Sequence, residues 1–473
     1  MRDWFLKDLK LFFFNFTEFT LKNMSSKEVV DDTGSDGPSE SKRRKITDGK
    51  SVCEPEPSVE KPAENSEVTE TRLSNKKEQE ELSKQNVSNV GQDLTVSSAS
   101  TTDKTPGVHT DVVAEHYNAI PERGLSHRNQ SRIFFMRNFN NWIKSMLINE
   151  YLVKIKDSLS HGTPIKVLDM CCGKGGDLYK WKQGAITHLI CTDIADVSVQ
   201  QCESRYNEVA NQANNNRGYA KMFTAEFIAA DCTKIELIIV KFNFEFIQVR
   251  LREKYKDASV QLDLVSCQFA LHYSFESLPQ AECMMRNASE SLKPGGYFIA
   301  TIPNANDLVY QWKQAEGNKF GNSVYNVEFL CDKEKIPLFG AKYNFHLEDV
   351  VDCPEFLINV TVLKKLAAKF GLEFISFERF NEFYARCKGD GKSLLAKMQA
   401  MESYPPYHEP ELKGNNPEDY QHAIQYTQNK PDHRKIGTLT LSEWEATSLY
   451  AVVAFKKMKT SWSSEGKPEY SKA

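Results

Sequence analysis

The sequence lacks the cysteine spacings that mark disulfide frameworks and zinc modules. It has 11 cysteines among 473 residues, but they are scattered and no C-x-x-C pair occurs. A disulfide-rich secreted domain and a zinc finger are therefore both disfavoured, and a reducing intracellular compartment suits the pattern better. Cys172, Cys191 and Cys267 lie in or beside apolar runs, so we interpret them as small buried hydrophobic residues.

Long apolar runs are missing as well. Leu11–Phe14 is apolar, but charged residues interrupt its surroundings and no small-residue cleavage site follows. The segment is neither a convincing signal peptide nor long enough to span a bilayer, so we expect no membrane association. Met24 begins an ordinary polar tail, and we therefore predict that residues 1–23 are an extension from an upstream translation start.

Aromatic residues are absent from Met24 to His116. This stretch carries 12 Lys and Arg against 19 Asp and Glu, a net charge of −7, whereas residues 117–473 carry a net charge of +2. Such a polar segment buries too little apolar surface to offset its chain entropy, so we predict that residues 24–116 are a disordered acidic tail. Its basic cluster Lys42–Lys45 is either a nuclear-import signal, which would place the protein in the nucleus, or an ordinary solvated charge run.

Apolar periodicity begins near Tyr117 and defines a predicted domain over residues 117–473. An amphipathic helix over Ser131–Leu152 precedes short apolar strands that alternate with helices, which indicates an α/β fold with a doubly wound, mainly parallel sheet. A later helix is predicted over Glu355–Phe370. The apolar run Ile235–Val249 fits this alternation badly, and it is predicted to be an added strand or an aberrant insert.

Acidic residues end the first three predicted strands. Asp169 precedes the Gly-rich turn Cys171–Gly176, Asp193 ends the second strand, and Asp231 ends the third. Ligands of doubly wound sheets bind at the carboxyl ends of strands, where glycines allow close backbone approach. The turn does not have the G-x-G-x-x-G spacing of a dinucleotide site, and a third acidic end can accept the adenine amino group. These features favour S-adenosylmethionine, although each carboxylate alone could be a helix cap.

The fourth predicted strand is followed by a loop that contains Gln268, His272 and Tyr273. In a methyltransferase the loop after this strand lies beside the transferable methyl group. Gln268 could then contact the cofactor while His272 and Tyr273 bind the substrate. The alternative is a capping or core histidine beside a packed aromatic residue, and residue type alone does not decide between the two.

Long ordered segments of the chain resemble the eukaryotic mRNA cap guanine-N7 methyltransferases. The matching segments are FNNWIKSMLI (139–148), VLDMCCGKGGDLYKW (167–181), CTDIADVSVQQC (191–202), SCQFALHYSFES (266–277), MMRNASESLKPGGYFI (284–299), PLFGAKYNFHLEDVVDCPEFL (337–357) and SEWEATSLYAVVAF (442–455). The resemblance implies a class I S-adenosylmethionine-dependent methyltransferase fold with a seven-stranded sheet. It also implies methyl transfer from S-adenosylmethionine to N7 of the cap guanine of mRNA.

The resemblance further implies two sets of site residues and no metal. The cofactor set is Lys144, Asp169, Cys171, Gly173, Asp193, Asp231, Gln268 and Tyr273. The capped-RNA set is Asn140, Asn141, Lys174, Lys180, Arg205, His272, Glu355 and Tyr450. Cys171 departs from the family, which usually has glycine there, and the departure puts the cofactor affinity in doubt.

Guanine N7 carries an in-plane lone pair and no proton, so the reaction needs no general base. We therefore expect no acid–base catalyst, and we expect His272, Tyr273 and Glu355 to align the substrate. The competing hypotheses are a catalytically impaired cap-binding homologue and a methyltransferase for another RNA. The expected partners are capped nascent mRNA and, through the tail, RNA polymerase II machinery, the capping guanylyltransferase or a small activating subunit.

Overall fold

The computed structural model describes most of the chain beyond residue 107. The described residues are 14–15, 108–120, 125–215, 222–234, 261–290, 292–407, 412–414, 416–430, 432 and 434–473. The predicted apolar insert, the basic cluster and nearly all of the predicted tail lie outside these residues. Among the described residues, none of the helices has both the length and the apolar character needed to cross a membrane.

Helices occur along the whole described part of the chain. They are α1 Val108–Ala119, α2 Leu125–Gln130, α3 Phe134–Ser158, α4 Leu178–Gln183, α5 Asp196–Asn215, α6 Leu278–Glu290, α7 Ala305–Gln314, α8 Val360–Lys369, α9 Phe380–Cys387, α10 Lys392–Lys397, α11 Gln421–Asn429 and α12 Leu441–Ser448, with 3-10 turns at Leu271–Glu276 and Pro417–Tyr420.

Strands form one large sheet and three smaller ones. They are β1 Phe14–Asn15, β2 Lys166–Met170, β3 His188–Asp193, β4 Thr224–Ala229, β5 Leu262–Gln268, β6 Leu292–Pro303, β7 Lys319–Gly321, β8 Tyr325–Phe329, β9 Lys342–Leu347, β10 Val351–Phe356, β11 Leu372–Arg379, β12 Glu402–Tyr404, β13 Ile436–Thr438, β14 Tyr450–Lys457, β15 Lys459–Trp462 and β16 Pro468–Ser471.

The large sheet has seven strands in the order β11-β14-β6-β5-β2-β3-β4. The pairs among β4, β3, β2, β5 and β6 are parallel, whereas β14 runs antiparallel to both of its neighbours. From β2 the chain winds outward first through β3 and β4, and then through β5 and β6 on the other side. This reversal beside β2 is the switch point at which doubly wound sheets bind ligands. The seven-stranded, mainly parallel fold predicted from the sequence is confirmed.

Both faces of this sheet are covered by apolar side chains. Val167 and Leu189 pack into the cluster that contains α3, whereas their neighbours Leu168 and Ile190 pack into the cluster on the opposite face. Side chains alternate faces along a strand, so unbroken apolar runs such as these are expected where helices cover both sides. The parallel register places Met170 beside Cys267 and Thr192. The carboxyl ends of β2, β3 and β5 therefore form one edge.

A second sheet carries one of the predicted substrate residues. Strands β10, β9, β8 and β7 form an antiparallel sheet in which Glu355 pairs with Tyr343. The predicted helix Glu355–Phe370 is therefore wrong at its start, because Glu355 lies in β10 and α8 begins only at Val360. Pro354 lies in β10, which is an edge strand of this sheet, and edge strands tolerate proline because one side of the strand makes no ladder hydrogen bonds.

Two further predicted boundaries need correction. Helix α1 begins at Val108, inside the segment predicted to be a tail that ends at residue 116. The helix is held by tertiary contacts, since the His109 ring lies 2.9 Å from the Glu276 carboxylate and 2.7 Å from the Lys342 amine. Helix α2 lies in the polar stretch just before the predicted helix Ser131–Leu152, which begins only at Phe134 as α3. Local composition did not reveal either helix.

Candidate functional site

The loop after β2 has an unusual backbone. Cys171, Gly173 and Gly175 all have positive φ values, of 58°, 52° and 75°. Glycine adopts this region without steric cost, whereas Cys171 accepts strain there. A Cβ added at Gly173 would meet no atom within 4 Å, so open space faces the backbone at that point. The loop can therefore lie directly against a ligand.

Asp193 fixes this loop at the switch point. One of its carboxylate oxygens accepts the Gly173 N–H at 2.8 Å, and the other accepts the Ala195 N–H at 2.9 Å. Burial raises the pKa of Asp193 above its usual value. Each carboxylate oxygen can accept a second hydrogen bond, so two hydroxyl donors of a ribose can still bind here.

Asp169 and Asp177 occupy the buried base of the loop. The Asp169 carboxylate accepts the indole N–H of Trp181 at 3.0 Å, and burial raises its pKa, with the negative charge of Asp177 adding to the effect. Asp177 forms ion pairs with Lys144 at 2.8 Å and with Lys180 at 2.7 Å. Burial alone would raise the pKa of Asp177, but the two lysines hold it well below its usual range. Asp169 therefore links the end of β2 to helix α4.

The two lysines of the predicted capped-RNA set already have protein partners. Lys174 donates to the Ile120 carbonyl at 2.7 Å, and Lys180 donates to the Gly176 carbonyl at 3.0 Å in addition to its ion pair. Lys180 also lies 3.3 Å from the Asn141 side-chain oxygen. These contacts bring Asn141, Lys144 and Lys180 together with the loop. Any phosphate bound here must share these lysines with protein groups.

Asp231 follows β4, which ends at Ala229, and Gln268 is the last residue of β5. Asp231 accepts the N–H and the hydroxyl of Thr233, at 2.9 and 2.6 Å, and therefore stabilises its own turn. Gln268 is buried and donates to the Ser266 hydroxyl at 3.0 Å. Its side-chain oxygen is buried without a hydrogen-bond partner among the described residues. Gln268 therefore retains an unused acceptor at the end of β5.

A buried carboxylate lies beyond the end of β5. Glu355 is 3% exposed, and one of its oxygens accepts the Tyr343 hydroxyl at 2.7 Å. The other oxygen lies 3.3 Å from Nε2 of His272, whose ring is 4.3 Å from that of Tyr273. Neither ring nitrogen of His272 makes a well-aligned hydrogen bond within the described part of the chain. The group therefore offers a fixed carboxylate, unsatisfied nitrogens and an aromatic face together.

Tyr117 connects this carboxylate to the cofactor end of the site. Its hydroxyl lies 3.1 Å from that of Tyr273, which in turn lies 3.3 Å from the Cys353 sulfur. Burial raises the pKa of Tyr117, and the negative charges of Glu355 and Asp193 add to the increase. Helix α1 also contacts the connection after β3, since the Asn118 amide donates to Asp196 at 3.0 Å, so the helix reaches both ends of the site.

The other predicted substrate residues lie on the surrounding elements. Tyr450 starts β14 and packs against Phe269, with ring centroids 5.1 Å apart. Asn140 accepts the Thr447 hydroxyl at 2.6 Å. Arg205 lies on α5, and its positive charge adds to burial in lowering the pKa of Arg128. Arg205 and Arg128 therefore belong to one basic region.

Sequence reasoning missed Tyr343, Tyr117 and Arg128. Tyr343 is revealed only by the pairing of β9 with β10, which is a long-range contact. Tyr117 had one readable signal, because it is the first aromatic residue after the polar stretch. The sequence offered no signal that would separate Arg128 from other surface charges.

The cysteines predicted to be small buried residues show a second property. Cys191 and Cys267 are buried as expected, and Cys172 is half-buried. The Cys172, Cys191 and Cys202 sulfurs all lie within 4.8 Å of one another. Hydrogen bonds from Cys172 and Cys191 lower the pKa of the Cys202 thiol to about 4.

Comparisons with known proteins agree on one family. The model of the mRNA (guanine-N(7))-methyltransferase domain matches residues 100–458. The chain is 51% identical over 362 residues to the mRNA cap guanine-N(7) methyltransferase of Drosophila melanogaster. This alignment covers 76% of this chain and 80% of the relative. It is 40% identical over 356 residues to the protein of the same name from Caenorhabditis elegans, covering 74% of this chain and 87% of the relative.

Among solved structures, a S-adenosylmethionine-dependent methyltransferase from Clostridium acetobutylicum shows a slight likeness. The identity is 12% and the TM-score is 0.33, with 67% of this chain and 92% of that chain covered.

Proposed function

Because the chain belongs to the mRNA (guanine-N7)-methyltransferase family, it transfers a methyl group to N7 of the mRNA cap guanine, and we propose here how its side chains do so. The single observation that carries the proposal is the buried Glu355 carboxylate, which is held by Tyr343 and lies 3.3 Å from Nε2 of His272, beyond the end of β5. It lies where a guanine base can bind beside a methyl donor held at the switch point.

The residues around the switch point fit S-adenosylmethionine. Asp193 accepts the two ribose hydroxyls, and the open space at Gly173 lets the backbone approach the amino-acid portion. Gln268 supplies an unused buried acceptor, and Asp231 accepts from the adenine amino group. Lys144 lies close to the loop, since its amine is 4.0 Å from a Cβ built at Gly176. When bound, the cofactor supplies a methyl group activated by a positively charged sulfur.

Glu355 and its neighbours bind the cap guanine. Guanine presents an N1–H and an amino group on one edge, and a single carboxylate can accept from both. Tyr343 keeps one Glu355 oxygen in place, which limits the orientations of the carboxylate. The rings of Tyr273 and Tyr450 offer faces against which the base can pack. His272 has ring nitrogens left for a further contact with the base.

The basic residues around the loop bind the triphosphate bridge and the start of the RNA. Lys174, Lys180 and Arg205 lie on the loop and on the helices that follow it, and Arg128 extends this region. Charged donors form short, strong hydrogen bonds to phosphate. Asn140 and Asn141 add polar contacts on α3.

These side chains promote the reaction by alignment. N7 attacks with its own lone pair and has no proton to lose, so no side chain has to act as a general base. As the new C–N bond forms and the methyl–sulfur bond breaks, positive charge appears on the guanine ring. The Glu355 carboxylate, when it accepts from the guanine edge, stabilises this charge. Holding the reactants in line can contribute up to about 7–11 kcal/mol.

Labelled S-adenosylmethionine tests this function directly. The chain is incubated with GpppG-capped RNA and, separately, with the same RNA uncapped. We expect label only in the capped RNA, located at N7 of the terminal guanine. Transfer to uncapped RNA would indicate a methyltransferase for another RNA, and cap binding without transfer would indicate an impaired homologue.

We also propose that the protein acts in the nucleus on capped nascent mRNA. The basic cluster Lys42–Lys45 supports nuclear import, because short basic clusters in polar tails are recognised for that purpose. The remainder of the tail would contact RNA polymerase II machinery, the guanylyltransferase or a small activating subunit. An affinity pull-down with residues 24–107, compared with the same segment carrying alanine at the cluster, tests for these partners.

A further inference from the structure

Three thiols from three different elements meet beneath the cofactor-binding loop. Cys172 lies in the loop after β2, Cys191 lies within β3, and Cys202 lies on α5. Their sulfurs are all within 4.8 Å of one another, and the thiols hydrogen-bond among themselves. The proposed transfer uses none of the three.

The backbone fixes the positions of these sulfurs. The N–H of Cys172 donates to the Thr192 carbonyl at 2.9 Å, which ties the loop to the neighbouring strand. A Cβ built at Gly175 would lie only 2.8 Å from the Cys202 sulfur, so the loop backbone passes directly over it. Cys191 and Cys202 are buried in the core, whereas Cys172 is half-buried. The trio is therefore preorganised, and Cys172 is the least buried of its three residues in the described part of the chain.

Three convergent sulfur ligands select for a particular class of ion. Thiolates bind thiophilic metals such as Zn²⁺, whereas Mg²⁺ and Ca²⁺ require oxygen ligands. Zinc–sulfur bonds of about 2.3 Å place sulfurs about 4 Å apart, so the observed spacing needs little contraction. Among the described residues no fourth His, Cys, Asp or Glu atom joins the group. Zinc sites with three protein ligands take water in the fourth position.

We infer that Cys172, Cys191 and Cys202 form a binding site for a thiophilic divalent cation of the Zn²⁺ class. Each thiol gives up its proton when the ion binds, so three thiolates surround one divalent cation. The positive charge of Arg205 interacts with Cys202 and opposes the excess negative charge. An ion bound here would restrain Cys172 and, through it, the adjoining residues Cys171 and Gly173. The site lies beside the methyl-transfer centre and is distinct from it.

Cadmium titration of the full chain tests the site. The protein is reduced with a phosphine, stripped of metal and titrated with Cd²⁺ while the thiolate-to-cadmium charge-transfer absorbance is followed. We expect one tightly bound ion per chain. The Cys172→Ala variant should bind Cd²⁺ at least about tenfold more weakly, since losing even a partner outside the ligand shell costs about 10–100-fold in metal affinity. Cys283→Ser, which changes a half-buried thiol on α6, should bind as tightly as the wild type.

Two results would overturn the site. One is the absence of a tight charge-transfer signal in the wild type, and the other is an undiminished signal in Cys172→Ala. Substitution of the deeply buried Cys191 or Cys202 risks unfolding, so the half-buried Cys172 is the deciding position. Cooperative thermal unfolding of metal-free Cys172→Ala, followed by circular dichroism, shows whether that variant is folded. Hydrogen exchange adds a second readout, because the ion should slow exchange of the amides over residues 171–176 in the wild type alone.

Discussion

In the proposed mechanism, Tyr343 acts on the substrate through Glu355, and removing a single hydroxyl tests this role. Tyr343→Phe removes the hydrogen bond that holds the Glu355 carboxylate. Hydrogen bonds to charged groups contribute about 1.5–3 kcal/mol, so we expect kcat/KM for capped RNA to fall by about 10–100-fold. Steady-state kinetics with varied capped RNA measures this effect.

The matched control is Tyr325→Phe, which removes a hydroxyl from the same antiparallel sheet. In the wild type, the Tyr325 hydroxyl donates to the Gln311 side chain. It should leave kcat/KM nearly unchanged. Equal losses in both variants would mean that the sheet is generally sensitive to such changes and that Glu355 has no special dependence on Tyr343.

Asp193 should control cofactor binding and leave cap binding intact. Asp193→Asn keeps the shape of the side chain but directs an amide N–H₂ group at one of the backbone N–H donors of Gly173 and Ala195. We expect the Kd for S-adenosylmethionine to rise at least about tenfold, which corresponds to the loss of one hydrogen bond to a charged group. Calorimetry with the cofactor and with a cap analogue separates the two affinities.

Asp196→Asn is the control for that experiment. Asp196 lies on the same connection at the start of α5, and its carboxylate is exposed and contacts Asn118. A comparable loss of cofactor affinity in Asp196→Asn would contradict the specific role given to Asp193.

At the scale of the element, helix α12 contains a buried acid whose ionisation affects stability. Glu443 forms a capping box with Thr440 and also accepts the Met136 N–H at 3.3 Å. Burial raises the pKa of Glu443 from 4.5 to about 7. A raised carboxyl pKa stabilises the fold while the group is protonated, and this contribution is lost as pH rises from about 4.5 to about 7.

Glu443→Gln removes this titration. We expect the free energy of unfolding of the wild type, taken relative to Glu443→Gln, to fall by on the order of 3 kcal/mol across that window. Other titrating groups are common to both proteins and cancel in the difference. Denaturant unfolding of both proteins at several pH values measures it. The exposed Glu465→Gln should show no such trend, and a flat difference for Glu443→Gln would contradict the account.

The elements also show what a sequence can and cannot reveal. Strands β2, β3 and β5 were predictable because each is a short apolar run with a polar candidate residue at its last or next-to-last position. Strand β10 was not predictable, because Pro354 disfavours a strand and the residues after Val360 have helical spacing. This strand is stabilised by its pairing with β9. Helix α1 escaped prediction because its distant partners, including Glu276 and Tyr273, lie far along the chain.

For the whole molecule, we expect the region before the described domain to direct the protein to its location. Replacing Lys42, Arg43, Arg44 and Lys45 with alanine should shift a fluorescent fusion of the full chain out of the nucleus. Methyl transfer in vitro should stay at the wild-type rate, because every proposed site residue lies beyond residue 116. Quantitative imaging together with the labelled-methyl assay checks both expectations. Unchanged nuclear accumulation would mean that the cluster is an ordinary solvated charge run.

The site residues come from widely separated parts of the chain, and only the fold joins them. The sequence motifs placed Asp193 and Gln268 at strand ends, and the parallel register brings those ends to one edge. Glu355 reaches the same region from a different sheet, through contacts with His272 and Tyr343. The motifs therefore indicated candidate residues, whereas the contacts that hold those residues are visible only in the fold.

Alignment of N7 without proton transfer is the central claim, and the pH dependence of the chemical step tests it most directly. Single-turnover methyl transfer is followed from about pH 6 to pH 9 with saturating cofactor and capped RNA, for the wild type and for His272→Gln. A general base would make the rate rise or fall as that base titrates. We predict flat profiles for both proteins, with His272→Gln lower by a constant factor. A sloping or bell-shaped wild-type profile that loses a limb in His272→Gln would contradict the claim.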